Sequence, residues 1–414
     1  MKQITTYKSP MIVSKSANIH KLKLMRYYLL KQISSLFLAT KTLNHSIYVW
    51  PPFDENQEKE YTSLISNVRH YLKGLDISVE YFLNTAAGIR RRVLLAPFDK
   101  LASDEIISLE IIKKNLRVAR YCLSWRLDGV HLGSSVRPHV YYIGSGLGNC
   151  DADDWLRLTN DIYLQKHGTP NHMVSFSRYP VNSCAVVGTG PSSEAFIAEA
   201  QNYDAWICAN SVACDERIRN VGHPFAICML DPILFSPLDS VQPTLNCTYS
   251  LLRETPAVLI TTRRFAAYIE LNFPSDIKRK CHYVSTLGHD SLWLHENSAI
   301  DQLVVTPYGN VLTDLMLPVA ASISKNIVLY GCDGKKPGSA GFFKKSEKIS
   351  QIDEKQHEDI SHYTDFDIYD QYIAKHNIFT RYVVDKCLSK SINIYLRKPS
   401  WNTGLQHLPV RQWP

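Results

Sequence analysis

Two kinds of hydrophobic pattern divide the sequence. From Ile19 to Leu43 apolar residues recur at steps of three and four, which predicts one face of an amphipathic helix. Helical spacing returns at 56–74 and at 104–126, where Ser103-Asp104-Glu105 predicts a cap with acidic residues in the first turn. The sequence therefore predicts a mainly helical domain over residues 1–180.

In the second half, short runs of consecutive apolar residues alternate with helical patterns. These runs are 184–187, 205–209, 225–229, 257–260, 326–330 and 392–396. Continuous apolar strands separated by helices predict a parallel sheet that is covered on both faces. We therefore predict an α/β fold, with a Rossmann-like, mostly parallel sheet in a catalytic domain over residues 181–414.

The charge of the chain is concentrated in its first half. The 414 residues include 46 Lys and Arg and 39 Asp and Glu, which gives a net charge of +7. Residues 1–180 hold 24 basic and 15 acidic residues, against 22 and 24 in the rest. The basic face of the 19–43 pattern and the tract Gly88–Arg92 fit contact with an anionic membrane, a phosphate or an acceptor. The alternatives are a solvated helix surface or an oligomer contact.

Cysteine usage and hydropathy bear on the compartment. Ten Cys residues occur without a CxxC pair, and several lie inside apolar runs, which favours a reducing compartment. No run of about 18 apolar residues and no signal sequence is found. We expect a cytoplasmic protein, peripheral membrane association being an open alternative. No nucleic-acid partner is expected, and homo-oligomerisation stays open.

The strongest local motif is Val186-Val-Gly188-Thr189-Gly190-Pro191-Ser192-Ser193, between the first strand of the α/β half and a predicted helix. Two glycines let a backbone approach a ligand closely, and Ser192 is suited to cap the helix. A helix N-terminus provides N–H groups for a phosphate. The motif predicts ligand binding, and a tight strand–helix turn is the alternative.

Further polar residues follow predicted strands. They are Asn210, Asp231 and Asp333, and Tyr308-Gly309 precedes the apolar helix 311–323. Carboxyl ends of strands form the edge where open α/β sheets bind ligands. Asn and Asp-Pro are also common turn formers, so this evidence is weaker than the glycine motif.

Two other groups carry candidate chemistry. Asp151-Ala-Asp153 could bind a metal, or it could begin a helix with acid at its positive end. His357 and Ser361-His362-Tyr363 follow a segment, 335–345, whose glycines, cations and aromatics suit a lid over an anionic substrate. A histidine there could act as a general base.

Together these motifs resemble bacterial sialyltransferases of glycosyltransferase family 42. The order matches over about residues 182–398: Gly-x-Gly-Pro-Ser, a Cys-x-Asn strand end, a strand ending in Asp-Pro, a Gly-initiated apolar helix, Gly-x-Asp, and Ser-His-Tyr. The DUF115-type flagellar accessory glycosyltransferases and pterin pyrophosphokinase-like proteins share much of this pattern. Thr189 and Tyr308 depart from it, because the family usually has Asn and Ser there.

The resemblance implies an inverting, metal-independent enzyme that transfers sialic acid or a related nonulosonic acid from a CMP-sugar to an acceptor glycan, without a separate cofactor. His362 would be the general base, with His357 as the alternative. The substrate-binding residues would be Gly188, Thr189, Gly190, Pro191, Ser192, Asn210, Asp231, Tyr308, Gly309, Asp333 and Tyr363. The acceptor would be a bacterial surface glycan such as lipopolysaccharide, which can be lipid-linked.

Two other functions fit the same residues. One is a DUF115-like enzyme acting on another substrate, including pyrophosphoryl transfer to a pterin, which would need ATP and magnesium. The other is a non-catalytic nucleotide-binding protein.

Overall fold

The computed structural model contains two β-sheets and the helices that pack around them. The described residues are 46–50, 52–54, 56–96, 98–99, 101–118, 121–124, 139–142, 149–168, 181–286, 304–305, 309–334 and 366–411. The predicted helix at 19–43 lies outside them.

The strands of the first sheet come from residues 46–142, and the helices beside it extend to residue 167. Its elements are β1 (Ser46–Trp50), β2 (Phe53–Asp54), α1 (Glu58–Leu72), β3 (Ser78–Thr85), β4 (Gly88–Leu95), β5 (Leu101–Ile107), α2 (Leu109–Val118), β6 (Tyr121–Ser124), β7 (His139–Tyr142) and α3 (Asn149–His167). The strand order is β5-β4-β3-β1-β6-β7, with β2 beside β3. Strands β3, β1, β6 and β7 are parallel, and β4 and β5 extend the sheet antiparallel. The prediction of a mainly helical first half is therefore wrong for the described residues.

The helix predicted at 104–126 is a strand followed by a shorter helix. Strand β5 is the edge strand of the described sheet, and most of its side chains are exposed on both faces. Its sequence therefore lacks the alternation that marks a half-buried strand. The helix α2 starts only at Leu109, and Asp104 faces β4 rather than capping a helix.

The tract Arg90–Arg92 is not an unpaired positive cluster. It lies on β4, where Arg91 Nε is 2.8 Å from Glu80 Oε2 and Arg91 Nη1 is 2.5 Å from Glu105 Oε1. Arg90 and Arg92 each lie within 4 Å of an oxygen of Asp104, at 3.5 and 3.6 Å. The positive charge is thus matched by carboxylates across the sheet, and it stabilises the β3–β4–β5 pairing.

The second sheet confirms the predicted parallel α/β arrangement. Its elements are β8 (Cys184–Val187), α4 (Glu194–Glu199), β9 (Ala205–Ala209), α5 (Glu216–Asn220), β10 (Ala226–Cys228), α6 (Gln242–Glu254), β11 (Val258–Thr262), α7 (Ala266–Asn272), α8 (Ser275–Lys278), β12 (Cys281–Thr286), β13 (Val304–Val305), α9 (Leu317–Ile323), β14 (Asn326–Tyr330), α10 (Phe366–Ser389) and β15 (Asn393–Leu396). Every pairing among its eight strands is parallel, in the order β13-β12-β11-β10-β9-β8-β14-β15.

The winding of this sheet reverses at β8. From β8 the chain adds strands successively on one side, through β9 to β13, and then returns to place β14 and β15 on the other. Strands β8 and β9 are completely buried, which explains their uninterrupted apolar sequences. The carboxyl ends of β8 and β14 therefore flank a topological switch point, where open α/β sheets bind ligands.

Aromatic side chains join α1 both to α3 and to α7 of the second sheet. Tyr71 of α1 stacks on Trp155 of α3, with ring centroids 5.6 Å apart. His70 Nε2 and the Tyr268 hydroxyl of α7 form a hydrogen bond of 2.7 Å. Burial lowers the pKa of His70 to about 4, so this imidazole is neutral at pH 7. The contact is thus a hydrogen bond between neutral groups, surrounded by aromatic rings.

Candidate functional site

The loops after β8 and β14 meet at the switch point and are hydrogen-bonded to each other. Residues 188–193 and 331–334, which we call the switch-point crevice, form these loops. The Gly188 N–H donates to the Tyr330 carbonyl over 2.8 Å, and the Gly190 N–H donates to the Gly331 carbonyl over 2.9 Å. The Gly331 N–H donates to Ser192 Oγ over 2.7 Å.

This close approach explains the glycines of the motif. A Cβ on Gly188 would lie 2.6 Å from the Gly331 carbonyl oxygen, and a Cβ on Gly190 would overlap the Asp333 carboxylate. Gly331 itself has φ +63°, in the left-handed region. Contact between two loops therefore requires glycine here, whether or not a ligand is bound.

The Asp333 carboxylate lies at the N-terminal turn where the sequence predicts a bound phosphate. Its Oδ2 accepts the Ser192 N–H over 3.0 Å, and the residue is 9% exposed. The prediction that Ser192 caps the helix is wrong. Its Oγ accepts the Gly331 N–H instead, and the carboxylate of Asp333, which follows β14, caps the turn at 191–193. Asp333 Oδ1 has no hydrogen bond to any described residue.

The backbone donors of the glycine motif are mostly used internally. The N–H groups of Gly188, Gly190 and Ser193 bond to carbonyls, and Ser192 bonds to Asp333. Pro191 has no N–H. Among described partners, none bonds to the Thr189 N–H, and the residue is half-buried. Thr189 therefore has the backbone N–H of this loop that is not used internally among the described residues.

Asn210 follows β9, beside β8, in a strained conformation. Its φ is +49°, a left-handed value that Asn tolerates better than most residues. Its side-chain Oδ1 is buried and accepts no hydrogen bond from the described residues. A buried acceptor without a donor costs about 1–3 kcal/mol. Strain and an unsatisfied amide at this edge are typical of a ligand contact.

Asp231 has a structural role of its own. Its Oδ1 accepts the Ile233 N–H over 3.2 Å and caps the 3-10 turn Pro232–Phe235. Asp153 on α3 is likewise engaged, since its Oδ1 lies 3.0 Å from Arg264 Nη1 as an ion pair without aligned hydrogen-bond geometry. Asp153 therefore links α3 to the turn Arg263–Phe265. No group of metal-binding side chains is found in the part of the chain that the structure describes.

Gly309 begins the helical segment before β14. Its φ is +85°, and its N–H donates over 3.0 Å to Oδ2 of Asp314, which is 1% exposed. The predicted helix 311–323 is confirmed, although its first part, Leu312–Met316, is a π-helical turn. Pro318 lacks the N–H that a regular α-helix would need here.

The remaining predicted site residues cannot be placed. Tyr308, His357, His362 and Tyr363 lie outside the described residues, as does the segment 335–345. The structure brings together Gly188–Ser192 and Asp333, and it places Asn210 and Asp231 at the same sheet edge.

Sequence reasoning missed a partly buried ion pair behind the crevice. Glu199 ends α4, and both its carboxylate oxygens lie 2.6–2.8 Å from nitrogens of Arg397, which follows β15. Tyr330, the residue before Gly331, donates its hydroxyl to Glu199 Oε2 over 2.6 Å. Arg397, followed by Tyr330, lowers the pKa of Glu199. The network fixes α4 against β14 and β15.

Comparison with known proteins adds no family. No protein-family model matches the chain, and no curated protein matches it significantly. Among the described helices, none has the length and apolar character needed to cross a bilayer.

Proposed function

We propose that the protein is a glycosyltransferase that transfers sialic acid or a related nonulosonic acid from a CMP-sugar to an acceptor glycan. One observation carries the proposal: at the carboxyl ends of β8, β14 and β9, the sheet edge holds polar groups that have no hydrogen-bond partner among the described residues. These are the Thr189 N–H, Asp333 Oδ1 and Asn210 Oδ1. They offer one donor and two acceptors, which suits a phosphorylated nucleoside with ribose and base hydrogen-bond donors.

The negative charge of Asp333 determines how a nucleotide would be oriented in the crevice. A phosphate beside Asp333 would face a carboxylate, which is unfavourable at short range. The phosphate therefore lies on the Thr189 side, and a ribose hydroxyl donates to Asp333 Oδ1, as acidic residues do in other nucleotide folds. Asn210 Oδ1 accepts an N–H or O–H of the base or sugar.

The proton transfer is assigned to a histidine. In this proposal His362 takes the proton of the acceptor hydroxyl as that oxygen attacks the anomeric carbon, and CMP leaves with the bond electrons. Inversion at the anomeric carbon follows from a single displacement. The first sheet and the preceding residues would recruit the acceptor, at a membrane surface if the glycan is lipid-linked.

The decisive assay measures CMP release from CMP-N-acetylneuraminic acid in the presence of acceptor sugars. We expect turnover that EDTA does not abolish, and none in His362→Ala, which still binds CMP. No turnover with any CMP-nonulosonate would contradict the proposal. A need for ATP and magnesium would instead support pyrophosphoryl transfer.

A binding experiment tests Asn210 separately from folding. Glycine adopts φ +49° without strain, so Asn210→Gly removes the amide and preserves the backbone. We expect Asn210→Gly to weaken CMP binding about tenfold, equivalent to one lost hydrogen bond of about 1.4 kcal/mol, without loss of stability. Asp385→Asn, a change at an exposed side chain of α10, is the control and should bind CMP normally.

A further inference from the structure

The turn that follows β11 is held firmly at the carboxyl edge of the second sheet. This turn, Arg263–Phe265, begins directly after the strand. Phe265 stacks on Phe235 of the turn after β10, with ring centroids 4.5 Å apart. Arg264 Nη1 lies 3.0 Å from Asp153 Oδ1 of α3. The turn is therefore packed against the end of the adjacent strand on one side and tied to a helix on the other.

Arg263 differs from other arginines around the second sheet. Several of these have a carboxylate oxygen within 4 Å: Arg217, Arg219, Arg253, Arg264 and Arg397. Arg263 has no hydrogen bond or ion pair to any described residue. The carboxylate of Asp231, which follows the adjacent strand β10, accepts the Ile233 N–H instead. The charge of Arg263 is thus unmatched within the part of the chain that the structure describes.

The Arg263 side chain lies partly inside the protein and partly in solvent. Its Nε is buried without a described partner, whereas its terminal nitrogens Nη1 and Nη2 remain accessible. A charge that is partly withdrawn from water is unfavourable unless it is paired. The nitrogens of a guanidinium form parallel hydrogen bonds to a carboxylate or a phosphate. The accessible end of Arg263 is therefore suited to an anion.

Other polar groups at this edge also lack described partners. Thr262, immediately before Arg263, is 2% exposed, and its Oγ1 is buried without a described partner. Asn210 Oδ1 is in the same condition after β9, on the other side of β10. Buried polar atoms without partners are rare in folded proteins and call for an explanation such as a ligand. Here they occur at two strand ends of the edge where open α/β sheets bind ligands.

We propose that Arg263 binds an anionic group, a carboxylate or a phosphate, of the acceptor sugar, an inference that rests on the proposed function. Strand β11 lies three strands from β8, which is about 14 Å at the usual spacing between strands. An anion on Arg263 is therefore separate from the phosphate that we place beside Thr189. The carboxylate of a CMP-nonulosonate is attached to the same carbon as its phosphate oxygen, so it also stays near that phosphate. The second substrate, the acceptor, supplies the anion at Arg263.

The test compares three sugars that differ only at carbon 6: galactose, galacturonic acid and galactose 6-phosphate. Ligand-detected NMR titrations of the full chain, with and without CMP, measure their dissociation constants. We expect the wild type to bind at least one charged sugar about tenfold more tightly than galactose, and the tighter one identifies the anionic group.

Two variants that each remove one positive charge complete the experiment. Arg263→Gln should abolish the preference for the charged sugars and leave CMP affinity unchanged. Its unfolding temperature should be no lower than that of the wild type, because no described partner is lost. Arg279→Gln is the matched control: Arg279 is exposed and precedes β12, at the opposite edge of the sheet. It should retain the preference.

The outcomes separate this proposal from the one on which it rests. Equal affinity of the wild type for all three sugars, or a preference that persists in Arg263→Gln, would overturn the anion site even if CMP is bound and turned over. An equal loss in Arg279→Gln would show a general effect of net charge, and weaker CMP binding in Arg263→Gln would place the nucleotide there; either result overturns the assignment. If the preference depends on Arg263 but CMP is neither bound nor released from CMP-N-acetylneuraminic acid, the anion site stands and the proposed function fails.

Discussion

The ion pair between Glu199 and Arg397 gives a measurable test of how the crevice is supported. Arg397 Nε lies 2.8 Å from both carboxylate oxygens, Arg397 Nη2 lies 2.6 Å from Oε1, and the two side chains are only 17% and 18% exposed. Glu199→Gln removes the charge and preserves the shape. It leaves the partly buried Arg397 side chain without its counter-charge.

The expected cost follows from this burial. Removal of one partner from a buried pair costs about 3–5 kcal/mol. Because both side chains retain some contact with water, we expect about 2–3 kcal/mol for Glu199→Gln, measured by urea unfolding at pH 7. The exposed pair Arg381–Asp385, at 48% and 49% exposure, is the control, and Asp385→Asn should cost at most about 0.5 kcal/mol.

The pH dependence gives an independent check. Since Arg397 lowers the pKa of Glu199, the charged carboxylate stabilises the fold above the unfolded pKa of about 4.3. That stabilisation is lost as the pH falls through the folded pKa. The difference between wild type and Glu199→Gln should therefore be constant from pH 7 to about 5 and shrink as the pH falls below the unfolded pKa of about 4.3 and through the folded one. A difference no larger than that of Asp385→Asn, or one that grows in acid, would refute this reasoning.

Three further outcomes follow from the structure. Gly190→Ala should destabilise the fold by about 2–4 kcal/mol in urea unfolding, because its Cβ would overlap Asp333. Gly168→Ala, also in open space but in the left-handed region at φ +72°, is the control and should cost only the backbone strain of about 1–2 kcal/mol. CMP should bind more tightly than CTP in calorimetry, and Asp333→Asn should narrow that difference. Burial raises the pKa of Cys208, so iodoacetamide at pH 8 should spare Cys208 in the native protein and modify half-buried Cys247 faster, as mass spectrometry can show.

The sequence predicted the second sheet better than the first for a physical reason. Strands such as β8 and β9 are buried on both faces, so their residues are uniformly apolar and easy to recognise. In the first sheet, Glu80 is 3% exposed and pairs with Arg91, so charged residues occupy interior positions. Such pairs hide the alternation of a strand, and Arg90–Arg92 therefore resembled a free cationic cluster.

For the candidate site, the sequence predicted which residues lie at the sheet edge and missed how they interact. Parallel strands bring their carboxyl ends together, which placed Asn210 and Asp333 correctly. The bond from Ser192 to Asp333 joins residues 141 apart, and the pair Glu199–Arg397 joins residues 198 apart. No local pattern records such partners, which are visible only in three dimensions.

The position of Asp333 also bears on which phosphorylated ligand the crevice can hold. In P-loop proteins, several backbone N–H groups and a cation surround the phosphates. Here the N–H groups of Gly188, Gly190 and Ser193 already bond to carbonyls, and Ser192 bonds to the carboxylate of Asp333. Within the described loop this leaves the Thr189 N–H as the backbone donor that is not used internally. That supply of donors suits one phosphate diester, as in a CMP-sugar, and is poorly matched to the triphosphate that a pyrophosphokinase requires.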